Sequence, residues 1–130
     1  MEEFGGLRRI GQIALHVGGV DQAVEYYRDT LGMRLLFRVP GPPAMAFFDC
    51  AGIRLLLGEA EGDEPTESGT YLYFVVEGIE RAHAALVARG VEFIRTPHKV
   101  ADVGERELWL GFFRDPWKNP LALMEERLPV

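Results

Sequence analysis

The side chains able to move a proton or hold a ligand near neutral pH are few in this 130-residue chain, and they are scattered. Histidines stand at positions 16, 83 and 98. An imidazole titrates close to neutrality, so each is a candidate general base. In IGQIALHV, Gln12, Ala14 and His16 fall at alternate positions, so a strand there puts all three on one face. Gln12 and His16 then form a polar strip lining a pocket; the alternative is a core histidine with its ring satisfied. His98 lies in TPHKV, read as a loop, where it is a surface residue, a pocket rim or a general base. His83 stands in the middle of a helical pattern beside Arg81 and is expected to be exposed. Glu107 and Trp109 alternate in ERELWL. A carboxyl beside an indole in an apolar strand can be an acid of raised pKa, or it can be a solvent-facing edge residue. His98 and Glu107 are thus the candidate catalytic pair. Tyr71 and Tyr73 share a face of YLYFVV. Their rings can stack on a planar ligand and hydrogen-bond to it, or pack within a half-buried strand.

The bulk numbers limit the functions such residues can serve. The net charge of −6 argues against a nucleic-acid or anionic-membrane partner, which needs clustered Lys and Arg. Hydrophobic residues are 48% and charged residues 26%, as in a folded domain with one sizeable core. The single Cys50 forms no internal disulfide, and a small core residue beside a turn is its expected role. The N-terminal stretch MEEFGGLRRIGQ does not read as a signal peptide, and no apolar run approaches membrane-spanning length. A cytoplasmic protein is expected. No P-loop, no GxGxxG after a strand, no CxxC and no nucleophile elbow is present, so no cofactor is expected.

The elements that would position these residues occur twice. Residues 10–17 read as a strand and residues 20–31 as a helix with Val20, Ala23, Val24, Tyr27 and Leu31 at helical spacing, stopped by Gly32. RLLFRV, AMAFFDC and IRLLLGE read as three further strands. The acidic stretch 59–69, with Glu61, Asp63, Glu64 and Glu67, reads as a linker or solvated loop. The order then repeats: YLYFVV, the helical IERAHAALVARG, and the strands VEFI, ELWLGFF and PLALME, with residues 97–106 a looped approach to the middle one. Glu125, Glu126 and Arg127 read as a solvated terminus. Val17, Gly19, Val20 and Ala23 match Val76, Gly78, Ile79 and Ala82 at one spacing. Phe47–Phe48 matches Phe112–Phe113, and Gly52, Leu55 and Leu57 match Lys118, Leu121 and Leu123, at slightly wider spacings. The expected fold is therefore α+β: a single domain of two βαβββ modules, about residues 10–58 and 70–126. They would pair into a curved mixed sheet that forms a cup, with helices on the outside.

This sequence resembles the vicinal oxygen chelate superfamily, which includes glyoxalase I, extradiol dioxygenases, methylmalonyl-CoA epimerase, and the bleomycin- and fosfomycin-resistance proteins. The residues that carry the likeness are VDQAVEYYRDTLGM, FFDCAGIRLLL and FFRDPWKNPLALMEE. In the last, Trp117 and Lys118 replace the acidic residue and glycine usual in such a phrase. The resemblance implies a divalent metal in the cup, with ligands from the first and last strands of each module. Those positions fall on Gln12 and Leu56 in module one and on Tyr71 and Ala122 in module two. Leu56 and Ala122 offer no donor, Gln12 is neutral, and Tyr71 is protonated at neutral pH, so no metal is expected. In glyoxalase-like relatives the His16 position often carries a basic substrate-contacting residue.

Three readings follow. The first is a metal-free binder, most simply a homodimer, that holds a small planar or aromatic molecule through Gln12, His16, Tyr71, Tyr73, His98, Glu107 and Trp109. The second is a lyase, isomerase or dioxygenase-type enzyme, using a displaced metal bound by His16, His98 and Glu107 or an acid–base pair of His98 with Glu107. The third is a scaffold whose cup is filled by Leu56, Ala122, Met124, Phe48 and Phe113. The first is preferred.

Overall fold

The computed structural model describes residues 4, 6–59 and 70–130. The acidic cluster of Glu61, Asp63, Glu64 and Glu67 lies outside them. The chain divides into two compact units, Met1–Glu64 and Pro65–Val130.

In the first unit, strand β1 (Gln12–Val17) leads into helix α1 (Val20–Val24), which continues as π-helical turns over Glu25–Thr30. Strands β2 (Arg34–Val39), β3 (Met45–Cys50) and β4 (Ile53–Glu59) follow. The sheet order is β1-β4-β3-β2. Strand β1 runs parallel to β4, and the other two pairs are antiparallel. The second unit repeats this with β5 (Leu72–Val75), α2 (Ile79–Ala88), β6 (Phe93–Val103), β7 (Arg106–Arg114) and β8 (Pro120–Arg127), in the order β5-β8-β7-β6. Both units are thus βαβββ modules, and the fold is α+β.

Alternation along each strand separates a helix-covered face from a helix-free one. In module one Leu15, Val17, Phe48, Leu55 and Leu57 are buried with Val20, Ala23, Val24 and Tyr27 of the helix. Tyr27 and Phe48 meet with ring centroids 6.0 Å apart. In module two the corresponding core holds Ile79, Leu86, Val91, Phe113, Leu121 and Leu123. The spacing found between the repeats is the spacing of the ladders. Ala14 pairs with Leu56, and their counterparts Tyr73 and Ala122 pair in turn. Phe47 pairs with Leu56, and Phe112 with Ala122.

Neither helix start has a capping side chain of its own. The cap comes instead from the last strand of the module. The Val20 N–H donates to Glu59 Oε2 at 3.1 Å. The Gly78 and Ile79 N–H groups donate to the two oxygens of Glu125 at 2.6 and 3.2 Å. A carboxylate there satisfies orphan donors and meets the positive end of the helix dipole. The same two positions are related by the repeat.

Three sequence expectations are corrected. Residues 97–103 are not a loop but the second half of β6, so His98 sits in a strand opposite Leu110. Proline signals a break, but β6 is an edge strand with three register shifts, where a missing N–H is tolerated. Glu125, Glu126 and Arg127 belong to β8, and Glu125 is the helix cap rather than part of a solvated end. His83 is half-buried, its ring edge-on to Phe93 with centroids 4.5 Å apart. Cys50 ends β3 beside the turn, and burial followed by the Asp49 charge pushes its thiol pKa up.

The β3–β4 and β7–β8 turns are also related. Asp49 Oδ1 accepts the Gly52 N–H at 3.2 Å, and Asp115 Oδ1 accepts those of Trp117 and Asn119 at 2.9 and 2.8 Å. Lys118 has φ 70°, in the left-handed region that favours glycine. Replacing Lys118 with Gly is expected to raise unfolding stability by roughly 0.5–1 kcal/mol, measured by urea denaturation.

The Gly78 N–H bond, opposed by burial and helped by a lesser contribution from the Ile79 N–H, holds the Glu125 pKa below its ordinary 4.5. A lowered folded-state pKa gives stability that is complete above the unfolded value and lost as pH falls through the folded one. Glu125→Gln is expected to cost about 1 kcal/mol at pH 7. The difference from wild type should shrink on acidification below 4.5, and a pH series of urea midpoints checks it. An undiminished difference at pH 3 would show that the charge of the cap is irrelevant.

Candidate functional site

The helix-free face of each module carries most of the candidate residues. On module one, Gln12, Ala14 and His16 of β1 lie against Arg54, Leu56 and Gly58 of β4. The Arg54 guanidinium donates from Nη2 to Gln12 Oε1 at 3.1 Å. It also lies over the Phe47 ring, 5.2 Å from the centroid. Phe47 stacks on Phe37 at 4.6 Å with planes 22° apart. His16 is half-buried and stands opposite Gly58, which sets no side chain against it.

On module two the face is aromatic. Tyr71 and Tyr73 are 6.2 Å apart between ring centroids, and each meets Phe112 edge-on at 5.9 and 6.3 Å. The His98 ring lies 6.4 Å from the same Phe112. Tyr71 and Tyr73 are nonetheless 44% and 47% exposed, so their rings form an open surface rather than a closed core. His98 Nδ1 is 2.8 Å from the Thr96 carbonyl oxygen. A carbonyl can only accept, so Nδ1 carries a proton, and Nε2 is the acceptor of the neutral ring.

Glu107 and Trp109 are not part of this surface. They alternate with Leu108, Leu110 and Phe112, so they lie on the face that α2 covers. Trp109 Nε1 donates to Glu107 Oε1 at 3.0 Å, and Lys99 Nζ is 3.5 Å from Glu107 Oε2. The Arg127 guanidinium sits 4.0 Å from the Trp109 ring centre and binds Glu80 of α2 at 2.8 Å. This network joins the helix to the sheet. The structure therefore places His98 and Glu107 on opposite faces of one hairpin.

The positions implied for metal ligands can be tested on their chemistry. Leu56 and Ala122 carry no donor atom. Gln12 Oε1 already accepts from a guanidinium, whose positive charge opposes a second cation beside it. Tyr71 offers only a phenol. Among the described residues no group of three or more His, Cys, Asp or Glu comes together as a metal site. These residues do not fit a hard divalent cation, which needs several oxygen or nitrogen donors, some of them anionic.

Three residues of these faces went unrecognised in the sequence. Arg54 and Phe47 on one module and Phe112 on the other are the partners that organise the candidates. The signal was present: in each FF pair one ring must face the helix and one must face away. Phe48 and Phe113, considered as fillers of a cup, are the helix-facing members and belong to the core.

The chain matches the sequence profile of the Glyoxalase/Bleomycin resistance protein/Dioxygenase superfamily over residues 9–123, and it belongs to that superfamily. No curated protein matches it in sequence. Solved structures match its fold. A lactoylglutathione lyase from Agrobacterium tumefaciens is 21% identical, with 90% of this chain and 92% of that one covered and a TM-score of 0.70. A glyoxalase/bleomycin resistance protein/dioxygenase from Nocardioides is 23% identical, with 95% and 87% covered and a TM-score of 0.72. A superfamily member from Sphaerobacter thermophilus is 20% identical, with 92% and 98% covered and a TM-score of 0.74. At these identities the likeness establishes the fold alone.

Adding Ni²⁺, Zn²⁺ or Mn²⁺ to chelator-treated protein is expected to leave the thermal midpoint unchanged, because the donor set cannot reward binding. A saturable upward shift in calorimetry would contradict that reading of Gln12, Leu56, Tyr71 and Ala122.

Proposed function

We propose that the protein binds a small planar or aromatic molecule without a metal, as a cytoplasmic homodimer. The observation that carries this reading is the open aromatic surface of Tyr71, Tyr73 and Phe112, with the His98 ring at its edge. Exposed rings that meet edge-on leave their faces available for stacking, and the phenol groups can hydrogen-bond a polar substituent. Gln12 and His16 supply polar groups on the corresponding face of module one. The donor set at the implied ligand positions favours binding over metal-chelate chemistry. Exposed apolar side chains beyond these rings, Val75 at the end of β5 and Ile94 on β6 among them, support association of copies.

A lyase or isomerase reaction is the second reading, and one observation favours it. The Thr96 carbonyl fixes the proton on His98 Nδ1 and leaves Nε2 able to accept one beside the aromatic surface. Glu107, on the other face, does not serve as its partner in this reading.

A thermal-shift screen of planar aromatic compounds is expected to return stabilising ligands. Tyr71→Ala and Tyr73→Ala should each weaken the best of them by about three- to tenfold in calorimetric titration, while the far-UV spectrum is unchanged. Affinity indifferent to both substitutions would remove the aromatic surface from the site. Turnover lost in His98→Ala, with ligand affinity retained, would replace the binder by the enzyme.

A further inference from the structure

We propose that Arg54 anchors an anionic group, a carboxylate, of a small aromatic acid on the helix-free face of module one. The proposal rests on the reading of the protein as a small-molecule binder and names the class of ligand.

Arg54 is exposed, and among the described residues it makes no ion pair with a carboxylate. Its contacts are the Gln12 amide oxygen at 3.1 Å and the Phe47 ring at 5.2 Å. Both orient the guanidinium without neutralising it. One N–H is engaged by Gln12, and a guanidinium has five, in a planar fork that matches a carboxylate. Asp49 is the cross-strand partner of Arg54. Its Oδ1 accepts the Gly52 N–H at 3.2 Å, which ties the carboxylate to its own hairpin turn. Asp49 also stands opposite Arg34, so this corner of the sheet carries two guanidinium groups to one carboxylate.

The apolar part of such a ligand has a surface beside the charge. Phe47 touches the guanidinium and stacks on Phe37, which is 46% exposed. An aromatic acid can place its ring along Phe37 while its carboxylate reaches the Arg54 fork.

The test titrates the isotope-labelled full chain with 2-naphthoate and with its neutral analogue 2-naphthamide. Naphthoate is expected to shift the Gln12 side-chain amide and the backbone signals of Phe47 and Arg54, and to bind about tenfold more tightly than naphthamide. In Arg54→Gln the preference should fall to about parity; in Arg54→Lys, which keeps charge but loses the fork, it should fall part of the way. A dispersed amide spectrum shows that each variant folds, and the lysine variant carries the test if the glutamine one does not. Equal affinity for the two probes, a preference that survives Arg54→Gln, shifts confined to residues 70–130, or no naphthoate binding would each overturn the proposal. Failure of the broader binder reading is seen separately: in that case no planar aromatic, charged or neutral, stabilises the protein at all.

Discussion

Each module depends on one carboxylate. A helix that follows its first strand directly has unsatisfied N–H groups at its start, and here the glycines at 19 and 78 cannot cap them. Glu59 and Glu125 reach them from the ends of β4 and β8. That bond ties the last strand of the module to its first helix. It ties down the end of the β1–β4 and β5–β8 pairs, the parallel pair of each sheet among the described residues. The bond holds the register that the buried hydrophobic pattern selects, and that register decides the face on which every other side chain of the sheet emerges.

The consequence reaches the candidate sites. With the ladder set, Leu55 and Leu57 turn toward α1, and Arg54 turns away from it to meet Gln12 and Phe47. On module two Phe113 enters the core, and Phe112 is left among Tyr71, Tyr73 and His98. The two modules share one frame yet present different chemistry on it. One face is a cation beside a ring stack; the other is an aromatic surface with an imidazole at its edge. Duplication supplies the frame, and a few side chains on the helix-free faces supply the distinction.

Much of this was legible in the chain. The doubled order of elements, the Gly stops of both helices and the alternation of Gln12 with His16 and of Tyr71 with Tyr73 are patterns of short range, and the structure has them in place. The strand through Pro97 and His98 was not legible. Local preference argues for a loop there, and only pairing with β7 along a bulged edge makes a strand affordable. Glu125 looked like a solvated end for the same reason: its partners, Gly78 and Ile79, are distant in sequence.

By itself, then, the sequence determined the repeat, the element types and the absence of donor atoms at Leu56 and Ala122. These are properties of composition and of periods two and 3.6, which need no partner to be read. Tertiary structure decided which carboxylates cap, that His98 and Glu107 stand on opposite faces, and that Arg54 meets Gln12 and Phe47. Those facts rest on contacts between strands brought together only by folding, where hydrogen-bond register chooses among neighbours that sequence separation does not distinguish.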